Sequence, residues 1–543
     1  MFVKNLLTKS TLSLTVVSLL NLFLKYIMIS KQCLNNKFIT LSNHQLNVIN
    51  KMFKEDGLIV VHSTGSGKTL TAIGVSECLL QEGKINNIIV AVPRVLVDNF
   101  KKELYNYGLS NLHIDKYYHI NTYYKTLKYT NDINETKLNK SLLIIDEGHN
   151  IRTQITYKAN TNKQELAHGK TAYNYIKLSK KCKKILILTA TPLINKPQDF
   201  NNIMQMVNKT GKVMSMNKFN DCYVSPNLKK ITRQQRQGMS FLKIFNTNDP
   251  VNMKSVQKRL TKFIKAISST DVEKRRAKFF TNKVDFYKVD VVSKFYPKKE
   301  TNNIQIPMSR NYYSLYLKVE KKIIKNLGEL KNFNIQGKNT ASYYISLRKF
   351  SNSISTDGYK VDWIIKKLKE NYKSNVKTLV SSQFIVTGLN LIINELKKLD
   401  IPYFSITGKS KVKDINKSIK TFNSAIRGGI MLISGSASEG LDLRGVREVI
   451  VMEPFWNLNN QAQVIGRAVR FKSHYHLPKN EQLVKIYKLF LIKPKSKWII
   501  LKENLKYFST GDKTPSVDAY LFLLGILKQS IINAFLKNIK KYN

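Results

Sequence analysis

The sequence STGSGKT, residues 63–69, follows an apolar run at 58–61 and precedes a helical stretch at 70–80. Glycines at 65 and 67 allow the backbone N–H groups of Ser63, Thr64 and Ser66 to wrap an anion, and a helix start favours negative charge. Lys68 would reach the outer phosphates of ATP, and Thr69 would ligate Mg²⁺. Downstream, an apolar strand at 142–145 ends in Asp146 and Glu147. Adjacent carboxylates at a strand end suit a metal and an activated water. Asp146 would hold the Mg²⁺, Glu147 would polarise the water, and His149 would relay the nucleotide state. A third apolar strand ends in LTATP, residues 188–192, where Thr189 and Thr191 carry hydroxyls toward the acidic pair and Pro192 stops the strand. Upstream, Gln45 has an amide suited to both edges of an adenine. Pro93 and Arg94 fall on a loop after a strand, a position from which they would meet nucleic-acid phosphates.

A second constellation lies some 300 residues further on. Small residues at 434–440 follow a strand, and Gly440 and Asp442 would contact the ribose or a metal-linked water. In QAQVIGRAVR, residues 461–470, helical spacing puts Gln463, Arg467 and Arg470 on one face. Two such arginines would act as fingers on a γ-phosphate across a cleft.

These groups need two rigid platforms. Short apolar runs at 58–61, 88–92, 142–145 and 185–188 alternate with longer amphipathic stretches. That is the pattern of a parallel sheet covered on both faces. A second series runs through 378–380, 403–406, 430–433, 449–452 and 486–492. The fold class is therefore α/β with two tandem parallel-sheet units. The expected division is an apolar N-terminal segment (1–29), an ATP-binding domain (30–215), a helical insertion (216–350), a second α/β domain (351–500) and a C-terminal helical extension (501–543).

The chain has 543 residues, and its 90 Lys and Arg against 36 Asp and Glu give a net charge of +54. This balance points to a polyanionic partner, although an AT-rich coding sequence also enriches Lys, Asn, Ile and Tyr. Apolar residues at 43% exclude wholesale disorder. Cys33, Cys78, Cys182 and Cys222 form no CxxC pair, which suggests neither a zinc site nor a disulfide framework and fits a reducing compartment. Residues 11–24 are uncharged and largely apolar, but short for a membrane span. Three readings stay open for them: a start upstream of the true Met28 or a cytosolic helix, a membrane anchor, and an export signal. ATP chemistry favours the first and a cytoplasmic location.

The ordered set Gln45, STGSGKT, VPR, DEGH, TATP, SSQF (381–384), SEGLDL and QxxGRAxR resembles the superfamily-two helicases and translocases. The match is narrower with the poxvirus-like branch, which includes nucleoside triphosphate phosphohydrolase I, the small subunit of the viral early transcription factor, and relatives on yeast cytoplasmic linear (killer) plasmids. Residues 189–208, 283–300, 304–309, 463–478 and 514–536 carry that match, and the killer-plasmid helicase type fits best. The resemblance implies two RecA-like domains, ATP and Mg²⁺ at the site above, and Ser382 as a nucleic-acid contact. It also implies a DNA-directed motor in cytoplasmic transcription, with a cytoplasmic RNA polymerase as a partner. An RNA helicase that remodels transcripts and an ATP-gated DNA-binding subunit without motor activity are the alternatives. DEGH stands where many relatives have DEAH or DECH. It occurs often in Swi2/Snf2-type translocases, which move along duplex without separating it.

Overall fold

The computed structural model describes residues 39–153, 155–157, 166–194, 197–224, 273–287, 295–329, 338–352, 359–425, 428–435, 441–494, 496–500, 505–509 and 516–543. The expected N-terminal segment, 1–29, and Gly440 lie outside them.

Twelve strands make two six-stranded sheets, parallel throughout. The first contains β1 (Gly57–His62), β2 (Asn87–Val92), β3 (Tyr118–Thr122), β4 (Ser141–Ile145), β5 (Lys184–Thr189) and β6 (Val284–Tyr287), in the order β3-β2-β4-β5-β1-β6. The second contains β7 (Lys298–Pro307), β8 (Thr378–Ser382), β9 (Phe404–Ile406), β10 (Ile430–Ser434), β11 (Glu448–Val451) and β12 (Leu483–Ile492), in the order β9-β10-β8-β11-β12-β7.

The central strands are buried along their whole length because both faces are covered. Ile59, Ile89, Leu143 and Ile187 join one apolar cluster, and Leu58, Ile88, Leu142 and Leu186 join the cluster on the opposite face. Successive strand side chains alternate between faces, so a continuous apolar run is what a doubly covered sheet requires. The second sheet repeats this with Leu379 and Met431 on one side and Val380 and Leu432 on the other. In both sheets, α/β crossovers bring the motif-bearing loops to the strand C-terminal ends, where ligands bind in open parallel sheets.

The region expected to be a helical insertion differs from that expectation. Residues 284–287 pair with β1 at the edge of the first sheet, and residues 298–307 pair with β12 at the edge of the second. Between these strands the chain crosses from one domain to the other. In the C-terminal extension, residues 496–500 and 505–509 form an antiparallel pair before helix α6 (Val517–Ile539) begins. This helix spans both domains. Val517 and Leu521 pack with Tyr312 and Tyr316 on the second domain, while Ile532, Phe535 and Ile539 enter the core of the first. Its start is fixed by a fully buried ion pair, Lys360 Nζ to Asp518 Oδ2 at 2.6 Å. Among the described residues no helix is long and apolar enough to cross a membrane.

Candidate active site

Strand β1 ends at His62 and helix α2 (Lys68–Gln81) starts at Lys68. The loop between them turns through Gly65 (φ 79°) and Gly67 (φ 77°), in the left-handed region open to glycine. Helix α1 (Asn43–Lys54) buttresses this loop from behind. Gln45 Nε2 donates to the Gly67 carbonyl at 3.2 Å, and Gln45 Oε1 accepts from Ser42 N–H at 2.8 Å. Both ends of the amide expected to read adenine are thus held by backbone, and Gln45 is buried. These bonds tie Gln45 to the phosphate loop, and each end of the amide keeps one further donor or acceptor. His44 Nε2 lies 3.0 Å from the Ser66 carbonyl.

Lys68 Nζ donates to the carbonyls of His62 (3.3 Å) and Ser63 (3.5 Å), long bonds that an anion would replace. Burial lowers its pKa, opposed by Glu147 and Asp146. Asp146 follows β4 and is buried, and its Oδ1 accepts from Glu147 N–H at 2.9 Å. Burial raises the Asp146 carboxyl, and the adjoining Glu147 charge adds to the rise. Burial acts on Glu147 in the same sense, but the His149 hydrogen bond and the nearby Lys68, His149 and Arg467 outweigh it, leaving Glu147 below the usual carboxylate range. One carboxyl is driven toward the neutral form and its neighbour is held as an anion. Glu147 has φ 48° and ψ 48°, a left-handed conformation that a side chain rarely adopts. His149 Nδ1 lies 3.2 Å from Glu147 Oε2 and 3.1 Å from Thr189 Oγ1. Thr191 N–H donates to the same Thr189 hydroxyl at 3.1 Å.

The second domain faces these groups. Gln463 Nε2 donates to Thr191 Oγ1 at 3.1 Å, and Asn459 Nδ2 donates to the Leu193 carbonyl at 2.6 Å. Helix α5 (Leu458–Ile465) ends before the arginines, which corrects the expectation of one helical face. Arg467 and Ala468 make tighter i→i−3 bonds to Val464 and Ile465, so the chain turns out of the helix. Gly466 caps α5 where the turn lies against the phosphate loop. A Cβ there would lie 2.9 Å from Thr64 Oγ1. Arg467 is buried. Arg470 Nη1 donates to the Leu441 carbonyl at 2.9 Å and pairs with Asp442 Oδ1 at 3.3 Å. A cavity of about 330 Å³ is lined by Gly65, Lys68, Thr69, Asp146, Glu147, Asp442, Arg467 and Arg470 together.

Two expected nucleic-acid contacts lie apart from this cavity, and they fare differently. Arg94, shortly before helix α3 (Val97–Asn106), is exposed next to the buried Pro93 and lines a second cavity of about 340 Å³. Ser382 is fully buried; its hydroxyl donates to Glu453 Oε1 at 2.6 Å and accepts from Phe384 N–H at 3.1 Å. That side chain stabilises the end of β8 and does not reach a surface, which corrects the expectation.

Two residues that spacing arguments missed also touch the site. Tyr296, on the crossing between domains, donates its hydroxyl to the Gly65 carbonyl at 2.9 Å. Its ring meets Phe471 edge-on at 5.9 Å, and Lys472 N–H donates to the Phe295 carbonyl at 2.8 Å. Tyr123 donates to the Asp146 carbonyl at 2.6 Å. Tyr296 falls within the stretch 283–300 that carries the family resemblance, which was the available signal for it.

The donor set fits a nucleoside triphosphate with a divalent cation. Three cationic side chains and a glycine loop at a helix start meet the Asp146 and Glu147 carboxylates in one cavity, with Glu103 and Asp442 also in its wall. Ser66 Oγ, in the same loop, is buried with no hydrogen-bond partner among the described residues. No three His, Cys, Asp or Glu side chains converge as a metal cage among the described residues. Mg²⁺ held with phosphates needs only one or two protein ligands.

Two family models match the chain: "Type III restriction enzyme, res subunit" over residues 38–194 and "Helicase conserved C-terminal domain" over residues 359–472. A protein of Acanthamoeba polyphaga mimivirus, provisionally named ATP-dependent RNA helicase L538, is 25% identical over 92% of this chain and 96% of its own length. The "Termination factor NPH-I homolog" of African swine fever virus is 23% identical over 89% of this chain and 75% of its own. The "Uncharacterized killer plasmid pGKL-2 helicase" of Kluyveromyces lactis is 23% identical over 82% of this chain and 62% of its own. A solved Sulfolobus solfataricus SWI2/SNF2 ATPase core in complex with dsDNA covers 84% of this chain and 89% of its own at 18% identity and TM-score 0.31, too loose a match to add to the strand order. With both models matched and relatives in the poxvirus-like branch, the chain carries the two domains of a superfamily-two helicase and is an ATP-hydrolysing enzyme.

Proposed function

We propose that the chain is an ATP-dependent translocase acting on DNA in cytoplasmic transcription of a plasmid or viral genome. The observation that supports a motor over a static binder is the cleft itself: Lys68, Asp146 and Glu147 from one sheet share a cavity with Arg467 and Arg470 from the other. In this reading Lys68 holds the outer phosphates, and Thr69 and Asp146 hold Mg²⁺. The cation, when bound, neutralises charge that develops during phosphoryl transfer. Glu147, kept anionic, orients and deprotonates the attacking water, and His149 fixes its carboxylate. Arg467 and Arg470 reach the γ-phosphate once the cleft closes, and Arg470 leaves Asp442 to do so. Closing and opening move the sheets against each other, so that a polymer lying across both is gripped in alternation.

DNA is favoured by the similarity to the viral termination factor and the plasmid helicase. RNA is the second reading, favoured by the printed name of the mimivirus relative. Backbone contacts should dominate either way, so affinity should fall steeply with salt. The test is ATP hydrolysis by the full chain with no polymer, single-stranded DNA, duplex DNA or single-stranded RNA, with Lys68→Ala as control. Stimulation by DNA supports the translocase. Stimulation by RNA alone replaces it with transcript remodelling. Lys68-dependent turnover indifferent to every polymer would overturn both readings.

A further inference from the structure

The cavity beside Arg94 has no carboxylate in its lining, and it touches the catalytic turn from two directions. Its walls include Arg94, Thr122, Tyr123, Tyr124, Asn150 and Thr153. An exposed cation, a solvent-facing aromatic ring (Tyr124, 79% exposed) and hydroxyl groups suit a phosphodiester backbone with a base against the ring.

Tyr123 opens helix α4 (Tyr123–Asn131) directly after β3. Its hydroxyl donates to the Asp146 carbonyl at 2.6 Å and lies 3.2 Å from the Glu147 carbonyl. The left-handed conformation of Glu147 brings these two oxygens toward one point. Two carbonyl dipoles that converge repel unless a proton lies between them, and the phenol supplies it. Asn150 reaches the same turn, because its N–H donates to the Glu147 carbonyl at 2.9 Å. On the far side Tyr175 donates its hydroxyl to the Tyr123 carbonyl at 2.9 Å, with the rings edge-to-face at 6.4 Å. Tyr123 is therefore anchored by its own backbone, lines the cavity with its ring, and clamps the strained turn with its hydroxyl.

We propose that Tyr123 is a positioning residue through which a nucleic-acid strand in the Arg94–Tyr124 cavity sets the aim of the Glu147 carboxylate. This rests on the nucleic-acid-stimulated hydrolysis proposed above. A strand that presses on Tyr124 and Asn150 shifts the start of α4 and the turn after β4 together, and the shared hydroxyl keeps the two in step. Tyr123 does not touch the reacting atoms; it acts through the backbone of Asp146 and Glu147.

The test compares wild type, Tyr123→Phe and Tyr175→Phe as full chains. Each is assayed for ATP hydrolysis with and without saturating DNA and RNA, and for polymer binding by fluorescence anisotropy. For Tyr123→Phe the expected result is a polymer-stimulated kcat lower by about tenfold, the size of one lost hydrogen bond of ~1.4 kcal/mol. The KM for ATP, the polymer Kd and the melting temperature stay close to wild type. Tyr175→Phe, which keeps the Tyr123 hydroxyl, should retain most of the stimulation. A wild-type stimulated rate in Tyr123→Phe overturns the proposal. So does an equal fractional loss with and without polymer, which would mean that the hydroxyl supports the turn but relays nothing. A wild-type chain that no polymer stimulates would remove the underlying reading instead, and is recognised because it appears before any substitution is made.

Discussion

Gln463 reaches across the cleft and donates its amide to the hydroxyl of Thr191 at 3.1 Å. From Thr191 the contacts run on through Thr189 and His149 to the Glu147 carboxylate, in steps of 3.1, 3.1 and 3.2 Å. A group on the second domain is thus joined to the proposed base on the first by a file of contacts that passes through Thr191, whose hydroxyl accepts from Gln463 and whose backbone N–H donates to Thr189. If that file reports domain closure to Glu147, breaking it should slow turnover more than it weakens ATP binding. Gln463→Ala and Thr191→Val should each lower kcat by about 3- to 10-fold, as for a neutral hydrogen bond. The double variant should be no slower than the slower single one, because both remove the same bond. Steady-state kinetics on the four proteins checks this, and strictly multiplicative losses would contradict it.

The crossing between domains offers a second test. Tyr296 holds the Gly65 carbonyl while the adjoining Phe295 is bonded to Lys472, so the phosphate loop is tied to the turn that bears the arginines. Tyr296→Phe removes one bond and keeps the ring against Phe471. The expected outcome is a KM for ATP raised by about 3-fold, with a smaller change in kcat. Titration of a fluorescent ATP analogue would read the same loss directly.

Much of this arrangement can be read from the sequence. The apolar runs that became β1, β2, β4 and β5 are legible because a doubly covered strand confines its polar residues to the ends, as with His62, Asn87, Ser141 and Lys184. The phosphate loop, DEGH and the arginine turn are legible because each has a chemistry that only a few residue types can perform. The edge strands β6 and β7 were not. β6 is four residues long, and β7 reads KKETNNIQIP, a polar edge strand whose first four residues are exposed. Neither has a periodicity that separates it from a linker. Ser382 and Gln45 have residue types that suit a ligand, but their partners, Glu453 and Gly67, are 71 and 22 positions away. Tyr296 meets Gly65 across 231 positions. Contacts at such separations are set by the packing of whole domains, and no local pattern encodes them.

The acidic pair gives a pH-dependent prediction. Burial and the neighbouring Glu147 raise Asp146 above its ordinary value, so its ionisation opposes folding in the nucleotide-free protein. That penalty is absent below the ordinary carboxylate pKa of about 3.9 and builds as pH rises toward the raised value. Asp146→Asn should therefore raise the melting temperature at neutral pH by about 1–3 °C, and the gain should shrink as pH falls toward 4. The same variant should lose ATP turnover. A variant that melts below wild type at pH 7 would contradict this account of the site.

The most direct measurement pairs ATP binding with ATP turnover in Glu147→Gln and Lys68→Ala. Glu147→Gln keeps the shape of the cavity and removes the base. It should bind ATP at least as tightly as wild type and hydrolyse it about 100-fold more slowly or worse. Lys68→Ala should lose both binding and turnover while its fold persists. If either protein hydrolyses ATP at the wild-type rate, the cavity between the two sheets is not where the chemistry occurs.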